Sequence, residues 1–504
     1  MKKLMTKKCG TSLLFLWLTT AAFAQNFVDD RDTLGLQDTL STHTYPPLSR
    51  AGIALAEGAG INLAGGLIGR FILQLEWAEV TQSSIVYNLT HGFMWDNDHF
   101  VTNFFQHPYT GGMYFNAARS NGFTYWQSLP FAIVGSGLWE FFAENQPPSI
   151  NDIIATPLGG MALGEVTHRL SLRVHNNSLR GWRRFGNELL AGIISPMDLL
   201  SRVVSGDAWK VRPQAHNNSD DPYGHLPCRV DFAIYNRFLT DIDRNQSREN
   251  VGLNVNVVYG DIFTAATRTP YDYFTFDAHL NLYGGQPLLS EMSIVGVLLG
   301  AGWESNNHAW TAGIFQHFDY YEARPIVAGG KNLYEFAEPA SFGGGLLYQY
   351  QRESDARPLF CGSLYANFVF LGTSESDYYK AENRNYNMGN GYSIKFNAVY
   401  NFGKRWEAAL GYKRYHIYTN KGYGSDDAEI NGLPQDADLP FANVQGNKGS
   451  ASVDLMHLNI GFQLTPAVKI TAEQRFYYRQ SHYNYLDDVT VLSTENRLKI
   501  TYSR

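Results

Sequence analysis

From about residue 226 onward, apolar and polar side chains trade places at every step. In ENVGLNVNVVYG, Val251, Leu253, Val255, Val257 and Tyr259 share one face while Gly252, Asn254 and Asn256 share the other. In YFTFDAHLNLYG, Phe274, Phe276, Ala278, Leu280 and Leu282 oppose Thr275, Asp277, His279 and Asn281, and SIKFNAVYNFG and RLKITYSR repeat the pattern. A period of two held over about ten residues predicts strands with one apolar and one polar face. Runs of this kind recur near 228–239, 249–262, 272–284, 290–303, 307–319, 339–351, 358–371, 391–402, 406–418, 449–464, 468–480 and 491–503, about twelve in all. Their length matches the 9–11 residues a tilted membrane strand needs.

The connections sharpen that reading. GKR (403–405), TPA (465–467) and ESDAR (353–357) are short, whereas 320–338, 372–390 and 419–447 are long and polar. Short turns at one end and long loops at the other predict an antiparallel outer-membrane barrel, closed because lipid cannot hydrogen-bond a free sheet edge. Tyr259, Tyr283, Trp303, Trp406, Tyr412 and Tyr502 are placed for interfacial girdles. The last aromatic, Tyr502, is followed by Ser503 and Arg504, whereas such barrels usually end on an aromatic residue.

Residues 48–200 carry a helical period instead. ALAEGAGINLAGGLIGRFIL (54–73) is apolar, but Glu57, Asn62 and Arg70 keep its uninterrupted runs below spanning length. Gly65 and Gly69, and again Gly160 and Gly164, form small-xxx-small pairs that predict close helix packing. The expected organisation is a signal peptide over 1–24, a flexible tether over 25–47, an α-helical domain over 48–200, a linker over 201–226 and the barrel over 227–504. The signal peptide rests on basic MKKLMTKK, apolar LLFLWLTTAAF and the small-x-small Ala22-Phe23-Ala24. With an even strand number the helical domain starts on the periplasmic side, at or inside the periplasmic mouth, where it would plug or gate the lumen and meet the polar strand faces.

Composition agrees. Aromatics make up 14% and charged residues only 17%, with a net charge of −7, which gives no electrostatic case for nucleic acid. The expected partners are outer-membrane lipids and, during insertion, the barrel-assembly machinery.

The polar residues of the helical block form the candidate site: His107, Arg119, Glu140, Glu144, Asp152, Glu165 and His168. Glu140 and Glu144 lie one helical turn apart. Glu165 and His168 form E-x-x-H, half of a di-iron helix pair, without a second copy. His91, Asp96, Asp98, His99 and His107 match no ligand spacing, so neither metal nor cofactor is expected. Two uses of the cluster stand open. His107 with a carboxylate and Ser128 or Ser136 would give a lipid-active hydrolase, although no G-x-S-x-G elbow occurs. Alternatively, a turn at Pro108-Thr110-Gly111-Gly112 leads into a helix on which Arg119 pairs with Glu140, Glu144 or Asp152, and Ser149 or Asn151 caps the next helix. On that account the barrel has a structural or transport role in the cell envelope.

HPYTGGMYFNAARSNG (107–122), WEFFAENQPPSINDIIATPLGG (139–160) and the following Gly164-Glu165 resemble the bacterial family called domain of unknown function 3943, over about residues 80–170. The resemblance implies a secreted envelope protein and carries over no activity and no site residues.

Overall fold

The structure, a computed structural model, describes residues 48–211, 223–242, 244–263, 269–327, 330–353, 357–380, 383–423 and 443–503. The expected signal peptide and tether, and part of the expected linker, lie outside the described residues. Two compact units emerge: one built from residues 48–92, 109–148 and 163–225, the other from 93–108, 149–162 and everything after 226.

The helices are α1 (Leu48–Leu67, continued as a π-helical stretch Ile68–Leu73), α2 (Gln82–His91), α3 (His107–Ser120, entered through a π-helical turn Thr102–Gln106), α4 (Tyr125–Phe142), α5 (Ile150–Val174), α6 (Gly181–Ile194) and α7 (Pro196–Ser205). Local chemistry sets their limits. Thr81 and Thr124 open α2 and α4 with reciprocal capping boxes. Ser149 Oγ accepts the Asp152 amide at the start of α5. The expected turn at 108–112 is instead the first part of α3; Pro108 follows directly on the π-helical stretch Thr102–Gln106, where the regular i→i−4 ladder that a proline would interrupt is already replaced.

In the first unit, glycines bring backbones together. A Cβ on Gly65 would strike the Trp139 ring, and one on Gly164 would meet Phe115 and the Gly112 carbonyl. Asn62 donates to the Gly135 carbonyl at 3.0 Å, tying α1 to α4.

The second unit contains a closed antiparallel barrel of twelve strands, each paired with its sequence neighbours, and β1 paired with β12 from Asp231↔Ser503 to Asp241↔Ser493. The strands are β1 (Cys228–Asp241), β2 (Gln246–Tyr259), β3 (Phe274–Tyr283), β4 (Leu289–Ser305), β5 (His308–Ala323), β6 (Tyr334–Tyr350), β7 (Phe360–Glu375), β8 (Tyr386–Phe402), β9 (Trp406–Thr419), β10 (Gly449–Thr465), β11 (Val468–Tyr483) and β12 (Val489–Ser503). We call the end holding Cys228 and Ser503 terminal and the other end distal. Tight turns join strands at the terminal end; Asn306 (φ 51°) and Gly403 (φ 59°) supply the left-handed residue in two of them. The long loops 324–333, 376–385 and 420–448 are all distal. One long connection, 260–273, falls at the terminal end, against expectation.

Ile234, Phe238, Leu498 and Ile500 are exposed, whereas Arg237, Arg497 and Glu495 on the same strands are buried. The apolar face therefore points outward and the polar face inward, as a membrane-spanning barrel requires. Trp303, Trp406 and Tyr502 form part of an exposed aromatic belt near the terminal end. Tyr259, expected in a girdle, is buried and stacked on Phe274 at 4.7 Å.

Candidate functional site

Inward side chains of the wall meet one another within the barrel. Glu495 on β12 accepts from Tyr334 on β6, the strand directly opposite, at 3.0 Å. It also pairs with Arg237 at 2.8 Å and with Arg497. Arg475 on β11 crosses to Glu291 on β4 at 2.6 Å, and Arg497 shares that carboxylate at 3.2 Å. Lys395 and Lys413 reach from β8 and β9 to Asp319 on β5, at 2.6 and 3.2 Å, and Lys395 also meets Glu338 at 3.0 Å. On the distal side of these charges Tyr334 stacks on Tyr477 at 3.9 Å, within a cluster that includes Leu239, Tyr321, Phe336, Tyr415 and Leu455. On the terminal side Ile262 from the 260–273 connection packs with Val297, Phe315, Leu347 and Tyr365. The inward charges thus meet one another across the lumen rather than polar groups of the helices.

Asp277, His279 and Glu291 gather ligand atoms within 4.8 Å of one another. Arg497 already lies 3.0 Å from His279 Nδ1, and Arg475 and Arg497 both hold Glu291. Two guanidiniums supply there the positive charge a metal would bring.

Helical segments 93–108 and 149–162 pack on the outside of this wall. Asp319 and Tyr321 face the lumen, so Tyr320 between them faces out; it meets Phe100 and Phe105 at ring distances of 5.0 and 6.1 Å. Tyr386, outward by the same alternation from Lys395, takes Phe100, Phe104 and a hydrogen bond from Asn103 at 2.7 Å. Gln316 donates to the Leu158 carbonyl at 2.7 Å. The sequence reading put the helical block at or inside a mouth of the barrel; these two segments lie on its outer face.

The sequence-predicted residues fall in both units. His107 and Asp152 belong to the second unit. His107 Nε2 lies 3.7 Å from Asp98 and 3.6 Å from Asp152. Burial pushes the imidazole down, but the Asp152 and Asp98 carboxylates outweigh it and hold the pKa at about 9. Asp96 beside them accepts from Asn103 at 2.8 Å and from Asn151 at 2.9 Å. This polar knot is fastened to the distal loops. Arg384 donates to the carbonyls of Asp96 and Val444 and covers the Tyr379 ring at 4.3 Å. Tyr379 donates to Asn97 at 2.8 Å, Tyr386 to the Asp98 carbonyl at 2.8 Å, and the Trp95 amide to Asn443 at 3.1 Å. We call this set the latch. Sequence reasoning missed Asn97, Asn103, Tyr379, Arg384 and Tyr386.

The other predicted residues lie in the first unit. Arg119 grips Glu165 with two hydrogen bonds of 2.7 and 3.0 Å, and Arg169 adds a third at 2.8 Å. Arg119 was expected opposite Glu140, Glu144 or Asp152; the close approach of Gly164 to Gly112 brings the next residue, Glu165, to it instead. His168 pairs with Asp198 at 2.9 Å, so E-x-x-H sends its two side chains to different partners rather than to one metal. Glu140 is buried, and the carbonyls of Glu140 and Glu144 both accept from Asn88. Ser128, a possible nucleophile, gives its hydroxyl to the Thr124 carbonyl at 2.9 Å. Glu165 and His168 are thus engaged in ion pairs, and the described partners of His107 are carboxylates.

The raised His107 pKa sets a pH dependence. An imidazole whose pKa rises from about 6.5 to about 9 on folding stabilises the fold fully below pH 6.5, by up to about 3 kcal/mol, and loses that contribution as pH rises through 9. Thermal unfolding in detergent is expected to weaken between pH 6.5 and 9 for the intact chain but not for His107→Asn; equal slopes for the two would contradict the assignment.

Residues 92–197 match the family described as domain of unknown function 3943. No curated protein matches the chain. Among solved structures, it is similar to the NanC porin (10% identity, covering 54% of this chain and 98% of that one, TM-score 0.26). Others are the outer membrane channel DcaP of Acinetobacter baumannii (8%, 55% and 97%, TM-score 0.23) and the outer membrane protein OmpT of Vibrio cholerae (9%, 55% and 99%, TM-score 0.24).

Proposed function

We propose that this chain is an outer-membrane transport protein of the cell envelope, held shut at rest by its own lumen side chains and gated through the latch on its outer wall. The observation that carries this reading is the hydrogen bond from Tyr334 to Glu495, between opposite strands, within a network of buried charges. An open pore would leave those charges lining water, whereas here they pair with one another, Arg475 with Glu291 and Lys395 with Asp319 across the lumen and Arg237 and Arg497 with Glu495 along the wall. The helical segments are suited to gate rather than to plug. They grip the outer faces of β5 and β8 and, through Arg384, loops 376–385 and 443–447. A movement of these segments would pull on the distal ends of the strands that carry Asp319 and Lys395.

Arg384→Ala tests the gate. The variant removes two hydrogen bonds and two cation–π contacts, to Tyr379 and Tyr386, without touching the lumen. It is expected to raise the frequency of brief conductance steps in planar bilayers, and Arg384→Lys is not expected to restore the intact behaviour, because an ammonium cannot bridge both carbonyls while lying flat on the ring. Unchanged conductance in the alanine variant, with the latch loops newly open to hydrogen exchange, would remove the gating role.

A further inference from the structure

The first unit buries charge and exposes apolar side chains. Among apolar neighbours such as Phe115, Val166 and Leu190, its interior also holds Glu57, Arg119, Glu165, Arg169 and Asp198. Its surface is greasy. On α1 and its π-helical extension Leu63 is 65% exposed, Phe71 68% and Ile72 72%, whereas Glu57 is 7% exposed. α6 repeats the arrangement, with Trp182, Phe185 and Leu189 exposed and Arg184 and Glu188 buried as an ion pair of 2.9 Å. In water a helix turns such faces the other way.

We infer that this helical unit is itself seated in bilayer hydrocarbon, with α1 and its extension crossing the membrane. Ser49–Leu73 is long and apolar enough to span. At 1.5 Å per residue its 25 residues reach about 37 Å, against about 30 Å of hydrocarbon. The polar residues that broke its apolar run in the sequence all have a place. Glu57 accepts from Ser201 and Asn121, and Asn62 donates to Gly135, so both face helix neighbours. Arg70, in the last turn, donates to the Val80 carbonyl in the segment after the helix at 3.2 Å, which gives its guanidinium a partner at the helix end. Gly65 and Gly69 admit the Trp139 and Trp77 rings at close range, the small-residue contacts on which helices pack when lipid removes the hydrophobic drive. Intramembrane charges are tolerated when paired, as Glu165 is with Arg119 and Arg169. The occupant of the exposed face is lipid rather than a second copy because its first helix has the length and apolarity of a membrane span and the same chain already presents a lipid-facing barrel wall. This inference rests on the outer-membrane reading of the barrel but not on its gating.

The test is spin-label accessibility on the full chain in phospholipid vesicles, with the native cysteines replaced by serine. Labels go at Leu63 and Phe71, at Ile500 as the barrel-wall reference, and at Lys404 in a terminal turn as the water reference. At Leu63 and Phe71 the ratio of collisions with oxygen to collisions with a water-soluble nickel chelate is expected to equal that at Ile500 and to exceed that at Lys404. Leu63 and Phe71 following Lys404 while Ile500 stays lipid-like would overturn the inference and leave the barrel reading intact. Labels shielded from both reagents would overturn it too, since a second copy or another protein would then cover the face. Ile500 following Lys404 would overturn the barrel reading beneath it.

Discussion

Glu495→Ala is expected to destabilise the barrel by about 3–5 kcal/mol, the cost of leaving buried charges without their counter-ion. Glu495 is fully buried and holds the guanidiniums of Arg237 and Arg497 together with the hydroxyl of Tyr334. Removing it takes the carboxylate partner from Arg237 and leaves Arg497 to share Glu291 with Arg475. Urea unfolding in micelles would read the loss. Glu495→Gln keeps the shape and one acceptor and is expected to lose roughly half as much. If alanine cost under about 1 kcal/mol, the range of solvated surface pairs, the charges would be bathed in water and the closed lumen would be wrong.

The second large effect is on permeation. On the proposed closed-lumen reading the barrier has three layers: the distal Tyr334–Tyr477 stack, the charge network, and the terminal cluster around Ile262 and Phe315. Layers in series require joint removal. Tyr334→Ala with Tyr477→Ala opens only the first. Arg475→Ala with Glu291→Ala removes the principal cross-lumen ion pair as a pair, which limits stranded charge. Ile262→Ala with Phe315→Ala thins the third. The combined variant is expected to give stepwise conductance where each pair alone gives none. A single pair sufficing would place the barrier in that layer alone.

The sequence disclosed the barrel wherever one strand face meets lipid and the other the lumen, because only there does polarity alternate. It failed where both faces are covered. Residues 315–323 and 334–341 are buried, so β5 and β6 extend into both ends of the loop expected at 320–338. β7 and β8 likewise extend into 372–390. The inward charges were legible as a polar face: Glu473, Arg475 and Arg479 at every second place or so on β11, and Glu495, Arg497 and Lys499 on β12. Their partners were not, since Arg475 finds Glu291 across 184 residues and Tyr334 finds Glu495 across 161.

The helical site was half legible. Arg119 and Glu165 were both singled out, yet their pairing depends on a glycine contact that no local spacing encodes. Arg384 had no local mark at all in ENRNYN, because its acceptors Asp96 and Val444 lie 288 and 60 residues away. The break that Glu57 and Asn62 make in the apolar run of α1 was legible, but not that both residues turn toward helix neighbours and leave the lipid-facing side unbroken.

The central claim, a barrel closed by its own lumen, is tested most directly by solute permeability of the intact chain in liposomes, with residues 48–211 present and without any substitution. Swelling in small sugars and salts should match that of protein-free liposomes, and the combined lumen variant should swell faster. Rapid swelling with the intact chain, at a rate the lumen substitutions do not change, would contradict the account.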